Sequence, residues 1–297
     1  MLYLPAAFLF LYLFFRLVLP SGLSRAGKAA AAVALFLASQ EHLLNGLFFG
    51  GLSAPDLPSW VLMLQGWLFT SLLFLFVLVL VRDVFCLGVW LVRLMRRALR
   101  RDKRQGPAFS VGRRRFLTSG LAAAPASVLG RASLAGLVLA PTAYGVYEAV
   151  AVPEVRQREV VLPRLPEALD GLRLAQISDL HMSPLLGKDW VRAVVDRVNA
   201  QAADVVVLTG DLVDGLPAAR AESAAELRRL RARHGVLACA GNHEYYSGFK
   251  AWTEIFSDLG ITMLLNGHQV LGIRGRELVL AGVTDPERKR KIIGEEF

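Results

Sequence analysis

The chain has 297 residues, of which 54% are hydrophobic and 20% charged, and its mean hydropathy of +0.44 is too apolar for one ordinary soluble domain. The formal charge of +9 is uneven: residues 1–152 hold 15 Lys+Arg against 5 Asp+Glu, and residues 153–297 hold 19 against 20. Basic charge confined to the hydrophobic half points to membrane orientation and speaks against a nucleic-acid partner, which needs a basic patch on the polar half. Two cysteines, Cys86 and Cys239, exclude a disulfide framework and a Cys-based zinc site, so any metal must sit on Asp, Asn and His.

Three apolar runs, Leu2 to Leu19, Ala29 to Gly50 and Leu57 to Val81, approach the roughly 20 residues that a membrane helix needs. Arg16 ends the first and is expected to snorkel. Glu41, His42 and Asn45 interrupt the second, where packing or interfacial contacts inside a bundle are expected of them. Ten Lys and Arg then lie between residues 93 and 115, broken only by Asp102, which marks a cytoplasmic loop by the positive-inside rule and puts the N-terminus outside. Leu87 to Leu99 reads either as an amphipathic helix on the anionic leaflet or as an extension of the third helix.

Gly112-Arg-Arg-Arg-Phe-Leu-Thr-Ser119, followed by the small, weakly apolar stretch Gly120 to Ala151, is similar to a twin-arginine export signal, and reads alternatively as a fourth membrane helix. Either reading places the rest of the chain on the outer (periplasmic) face. A segment that only lies on the surface, as Arg131 within the run would suit, leaves it cytoplasmic.

From Val152 the pattern changes to short β-rich runs alternating with helical stretches, as in a layered α/β domain. Strands are expected at Leu172 to Ile177, Val205 to Thr209 and Val236 to Ala240, and helices at Lys188 to Ala202, Ala218 to Arg233 and Trp252 to Leu259. Ile261 to Leu265, Gln269 to Ile273 and Glu277 to Ala281 read as further strands, divided by turns at Asn266-Gly267 and Arg274-Gly275.

Chemistry-bearing residues follow the first three strands: Ser178-Asp179-Leu180-His181, Thr209-Gly210-Asp211 and Gly241-Asn242-His243-Glu244. The carboxyl ends of parallel strands are where α/β folds place their sites. This mixture of oxygen and nitrogen donors suits Mn, Fe or Zn better than Ca. Each motif alone is commonplace; their order and spacing, about thirty residues of helix apart, make the set specific.

With these three motifs the chain resembles the calcineurin-like metallophosphoesterase family, in particular its membrane-anchored bacterial branch, from about Leu172 to the Leu280-Ala-Gly-Val-Thr-Asp285 segment. The resemblance implies a four-layer α/β/β/α sandwich, here truncated, behind an α-helical transmembrane region, and two divalent metal ions. It implies that Asp179 and His181 bind the first metal, that Asp211 bridges both, that Asn242 binds the second, and that His243 is the catalytic group that protonates the leaving oxygen or stabilises the transition state. The domains expected are transmembrane helices over residues 1–92, a basic cytoplasmic loop over 93–115, the fourth membrane segment or twin-arginine-like signal over 116–152, and a partial metallophosphoesterase domain over 153–297.

The family's later histidines, one after another strand and a Gly-His-x-His pair, have no counterpart. The five histidines are His42, His181, His234, His243 and His268. His268 is expected to be a surface turn residue and His234 a helix C-terminal cap. The sequence thus suggests a fragment or interrupted chain. The expected function is a membrane-anchored hydrolase of a phosphate mono- or diester (a phosphodiesterase in the latter case), lipid-linked in the manner of a UDP-2,3-diacylglucosamine hydrolase. The alternative is a degenerate, membrane-anchored metal- or phosphate-binding scaffold. The expected partners are the lipid bilayer and the phosphate ester.

Overall fold

The computed structural model describes residues 3–48, 55, 57–99 and 128–285. The chain divides into an apolar helical unit, residues 1–48 with 60–149, and a second unit, residues 49–59 with 150–297. The twin-arginine-like segment, most of the basic loop and the chain beyond Asp285 lie outside the described residues.

The first unit contains α1 (Tyr3–Leu13), which runs into a π-helical turn at Phe14–Val18, α2 (Arg25–Ser39), α3 (Glu41–Phe48), α4 (Ser59–Leu99) and α5 (Val128–Val150). The second apolar run is thus two helices and not one span. Ser39 turns its hydroxyl back onto the Phe36 carbonyl at 3.0 Å and Gln40 leaves the helical conformation, so polar side chains that bond locally end α2 where the hydropathy pattern continued. The third run is longer than expected. Its 41 residues extend about 60 Å at the helical rise, about twice the hydrocarbon thickness, and Leu87 to Leu99 is its continuation, not a separate surface helix. Among the described residues one helix, Ser59–Arg96, is long and apolar enough to cross a membrane, and Leu4–Val18 is a shorter apolar helix. The several crossings read from hydropathy therefore have the support of one helix.

Polar side chains in this unit pair with each other. Asn45 and Gln65 exchange amide hydrogen bonds of 3.0 and 3.2 Å, and the Ser71 and Thr142 hydroxyls meet at 2.8 Å. Arg16 does not snorkel: it pairs with Asp83 at 2.6 Å, and the Tyr12 hydroxyl donates to the same carboxylate at 2.8 Å. A carboxylate among apolar helices is costly without such a partner, which outweighs the arginine's tendency to reach for the interface.

The second unit is built on four parallel strands in the order β1-β2-β3-β4: β1 (Leu174–Ile177), β2 (Val205–Leu208), β3 (Val236–Ala238) and β4 (Thr262–Met263). The crossovers are α6 (Lys188–Asn199), then α7 (Pro217–Ala224) with a 3-10 turn over Ala225–Arg229, then α8 (Asn242–Tyr246) and α9 (Phe249–Asp258). β2 is Val-Val-Val-Leu because it is covered on both faces, the usual composition of a buried parallel strand. Val206 and Leu208 pack with Val191, Val195, Trp252 and Phe256 beneath the helices. Val205 and Val207 face the other way, with Leu237, Leu264 and Ile273.

That second face is covered by the antiparallel pair β5 (Gly267–Ile273) and β6 (Arg276–Gly282). Their connection is the expected two-residue turn, Arg274 and Gly275 both having positive φ (50° and 73°), the conformation that lets a tight turn follow strand twist. Helices, parallel sheet and hairpin are three layers of the expected four-layer sandwich among the described residues. His268 lies within β5, exposed, opposite Ala281, and is not in a turn. His234 is not a helix cap: the helical turns end at Arg229, and its backbone N–H donates to the Asp204 carbonyl at 2.8 Å.

Ile273, 1% exposed, anchors the hairpin to the parallel sheet. Ile273→Val should lower stability by about 1 kcal/mol, read as a fall in the urea midpoint with an unchanged slope; no change would mean that the hairpin contributes nothing to the sheet's second face.

Candidate metal centre

Every residue of the centre sits just past the carboxyl end of a strand, and the backbone there is unusual. Asp179, His181 and Asp211 have φ of 56°, 43° and 53°, a left-handed region that Asp and His enter more readily than bulky residues but still at a cost. The pairing of β1 with β2 continues through it. The Asp179, His181 and Met182 amides donate to the Gly210, Asp211 and Leu212 carbonyls at 3.1, 3.0 and 2.9 Å, and Asp214 N–H returns to the Met182 carbonyl at 3.0 Å. The two loops are thus held side by side.

The third loop approaches them more closely than any side chain would permit. A Cβ at Gly241 would lie 2.7 Å from the Asp211 nitrogen, and one at Gly210 would lie 2.7 Å from the Gly241 Cα. Both glycines are required by this contact. Glu244 closes it: one carboxylate oxygen accepts from the Asp211 and Gly241 amides at 2.9 and 2.8 Å, the other from Leu212 at 2.6 Å. The side chain is buried, and burial pushes its carboxyl above the ordinary value while the three amide donors pull it back.

On this frame His181, Asp211 and His243 each present a donor atom, all within 4.8 Å of one another. The two imidazoles are nearly perpendicular, 87°, with centroids 4.4 Å apart. Asp179 stands at the rim, one carboxylate oxygen 3.8 Å from His181 Nε2, and accepts from the Ser178 hydroxyl. His243 N–H donates to Asp211 Oδ1 at 2.9 Å. Asn242 lies beside the same carboxylate, its amide nitrogen donating to Asp211 Oδ2 and Oδ1 at 3.1 and 3.2 Å. The convergence of hard oxygens with imidazole nitrogens fits a divalent transition metal.

The sequence motifs did not single out Asp214. Its Oδ1 lies 3.2 Å from His181 Nδ1 and 2.5 Å from His243 Nδ1. An ionised carboxylate only accepts, so both rings carry their proton on Nδ1 and leave Nε2 for the centre, the arrangement by which outer carboxylates orient metal-binding histidines. The available signal was the second acid in Gly210-Asp-Leu-Val-Asp214-Gly, which reads as an ordinary turn. Asp214 is itself held, since the Gly215 amide donates to Ser247 Oγ at 3.1 Å and Trp252 Nε1 to the Gly215 carbonyl at 3.1 Å.

A parallel α/β sheet that gathers carboxylates and imidazoles at its carboxyl edge is an arrangement able to hold a metal ion. Residues 172–292 match the calcineurin-like phosphoesterase family. The chain is 37% identical over 151 residues to a transmembrane protein with metallophosphoesterase domain from Danio rerio, covering 49% of this chain and 34% of that protein. It is 34% identical to the protein of the same name from Bos taurus, over 48% of this chain and 34% of that one. An uncharacterized metallophosphoesterase of Helicobacter pylori is 32% identical, over 48% and 36%. The chain thus spans about a third of the length of the relatives it matches. No solved structure matches it.

Proposed function

We propose that this chain is a membrane-anchored, metal-dependent phosphoesterase acting on a phosphate mono- or diester. The observation that carries the reading is the convergence of the His181, Asp211 and His243 donor atoms at the carboxyl edge of the sheet. Asp179, His181 and Asp211 would hold one divalent cation, and Asp211 with Asn242 a second; Mn, Fe or Zn suits the donors. Such cations would supply positive charge against the phosphoryl oxygens and a nucleophile at neutral pH. The protein's own contribution is positional. Asp214 fixes both imidazoles, and a second proton on His243, at Nε2, would be the one donated to a phosphoryl oxygen or to the departing alkoxide, with the Asp214 carboxylate offsetting the imidazolium charge.

The apolar helix Ser59–Arg96 and the names of the transmembrane relatives support anchorage in the bilayer, with the other apolar helices as further crossings. The charge pattern favours the outer face for the phosphoesterase unit, and a cytoplasmic face is the alternative. Tethering makes a lipid-linked ester the reading for the substrate; a UDP-2,3-diacylglucosamine-like ester is the narrower form and requires the cytoplasmic face.

The test uses the full chain in detergent. After EDTA treatment, bis(p-nitrophenyl) phosphate should release no p-nitrophenolate, and added Mn should restore turnover. A folded protein inactive with Mn, Fe and Zn would overturn the enzyme reading in favour of a metal- or phosphate-binding scaffold.

A further inference from the structure

We infer that Tyr246 and Leu216 form an apolar wall beside the centre that receives the organic group of the ester, so that the site selects aromatic or long-chain alcohols over small ones; this inference rests on the phosphoesterase reading above. The Tyr246 ring centroid lies 5.5 Å from that of His243, tilted by 58°, yet the residue is 44% exposed. The ring is thus both near the imidazole and open to solvent. Leu216, two residues beyond Asp214, is 63% exposed, and its Cδ2 lies 3.8 Å from where a Cβ would stand on Gly248, two residues beyond Tyr246. The loop after β2 and the turn after α8 thus bring an aliphatic side chain close to the chain segment that carries the aromatic one. The loop after β1 adds Leu185, 37% exposed, at the tip of the Ser183–Leu186 turn.

What sets these three apart from other exposed apolar side chains is their place: each lies within two to four residues of His181, Asp214 or His243, on one of the three loops that build the centre. A phosphate held at the centre would point one ester oxygen outward, and an apolar substituent there would bury surface against Tyr246 and Leu216. A phenyl group buried in this way strengthens binding by about tenfold over a methyl group.

The test measures binding of non-hydrolysable probes by titration calorimetry on the full chain in detergent, loaded with Mn. The wild type should bind phenylphosphonate about tenfold more tightly than methylphosphonate. Tyr246→Ala should bring the ratio to within about twofold while leaving methylphosphonate affinity within about twofold of wild type, and Tyr246→Phe should keep the ratio. Leu216→Ala, at an exposed position, should lower the ratio by about threefold. Equal affinity for the two probes in the wild type would overturn the inference, as would a ratio unchanged in Tyr246→Ala. A parallel loss for both probes in Tyr246→Ala would also overturn it, because Tyr246 would then act only by holding His243. If the Mn-loaded wild type binds neither phosphonate, it is the phosphoesterase reading itself that fails.

Discussion

Asp211→Asn is expected to lower turnover of bis(p-nitrophenyl) phosphate by at least about a thousandfold, the scale on which loss of a central electrostatic group acts. Asp211 is the carboxylate among the three converging donors: its Oδ1 accepts from the His243 backbone N–H, and it lies beside the Asn242 amide. The substitution keeps the shape and an acceptor oxygen but removes the charge that draws cations to the centre. Stability should therefore change by less than about 1 kcal/mol, as for other near-isosteric changes at partly exposed polar groups. Mn titration and steady-state kinetics on the same preparation check this. Wild-type turnover in the Asn variant would place the reacting metals elsewhere.

Glu244→Ala should be the most destabilising single change at the centre, although Glu244 is not among the converging donors. It accepts three backbone N–H groups, from Asp211, Leu212 and Gly241, and is 2% exposed. Removing it strands donors that cost about 1–3 kcal/mol each when left unmet; with water reaching some of them, a net loss of about 3–5 kcal/mol is expected. Because those donors lie on the loops after β2 and β3, the approach of Gly210 to Gly241 should loosen, and Mn affinity should fall with stability. Glu244→Gln keeps one acceptor but turns an NH2 group toward one of the donors, so about 1–3 kcal/mol is expected. Urea unfolding of the three proteins orders them; an Ala variant as stable as wild type would show that the loops hold each other without this clamp.

Much of this centre was legible in the sequence. Asp179, His181, Asp211, Asn242 and His243 could be picked out because short apolar runs of strand composition end immediately before them, and a parallel sheet brings such ends together whatever the intervening loops do. The Arg274-Gly275 turn was legible for a similar reason, its dipeptide matching the one backbone conformation that closes a two-residue hairpin. Asp214 and Glu244 were not, because apart from Gly241, three residues before Glu244, the partners that define their roles lie 29 to 33 residues away. Acids near glycine are frequent in turns, and nothing local separates one that orients two imidazoles from one that faces water.

The helical unit shows the opposite limit. Hydropathy counts apolar residues without regard to where the helix can continue, so it joined α2 and α3 across Gln40 and left open whether Leu87 to Leu99 continues α4. The break depends on a serine bonding back to a carbonyl, and the extension on Leu87 to Leu99 remaining in register with the helix before it.

What the sequence determined by itself was the order of elements and the chemistry they carry: an apolar half weighted with arginine, then alternating strands and helices with a donor residue after each of the first three strands. Local patterning suffices for that, because strand, helix and turn preferences act over a few residues. The tertiary structure alone decided that three of those donors meet within 4.8 Å, that a fourth acid holds both rings, and that a buried glutamate ties the loops together. Those facts depend on long-range register between strands and on two glycines whose missing side chains let backbones touch, and contacts of that kind are made only when the sheet is assembled.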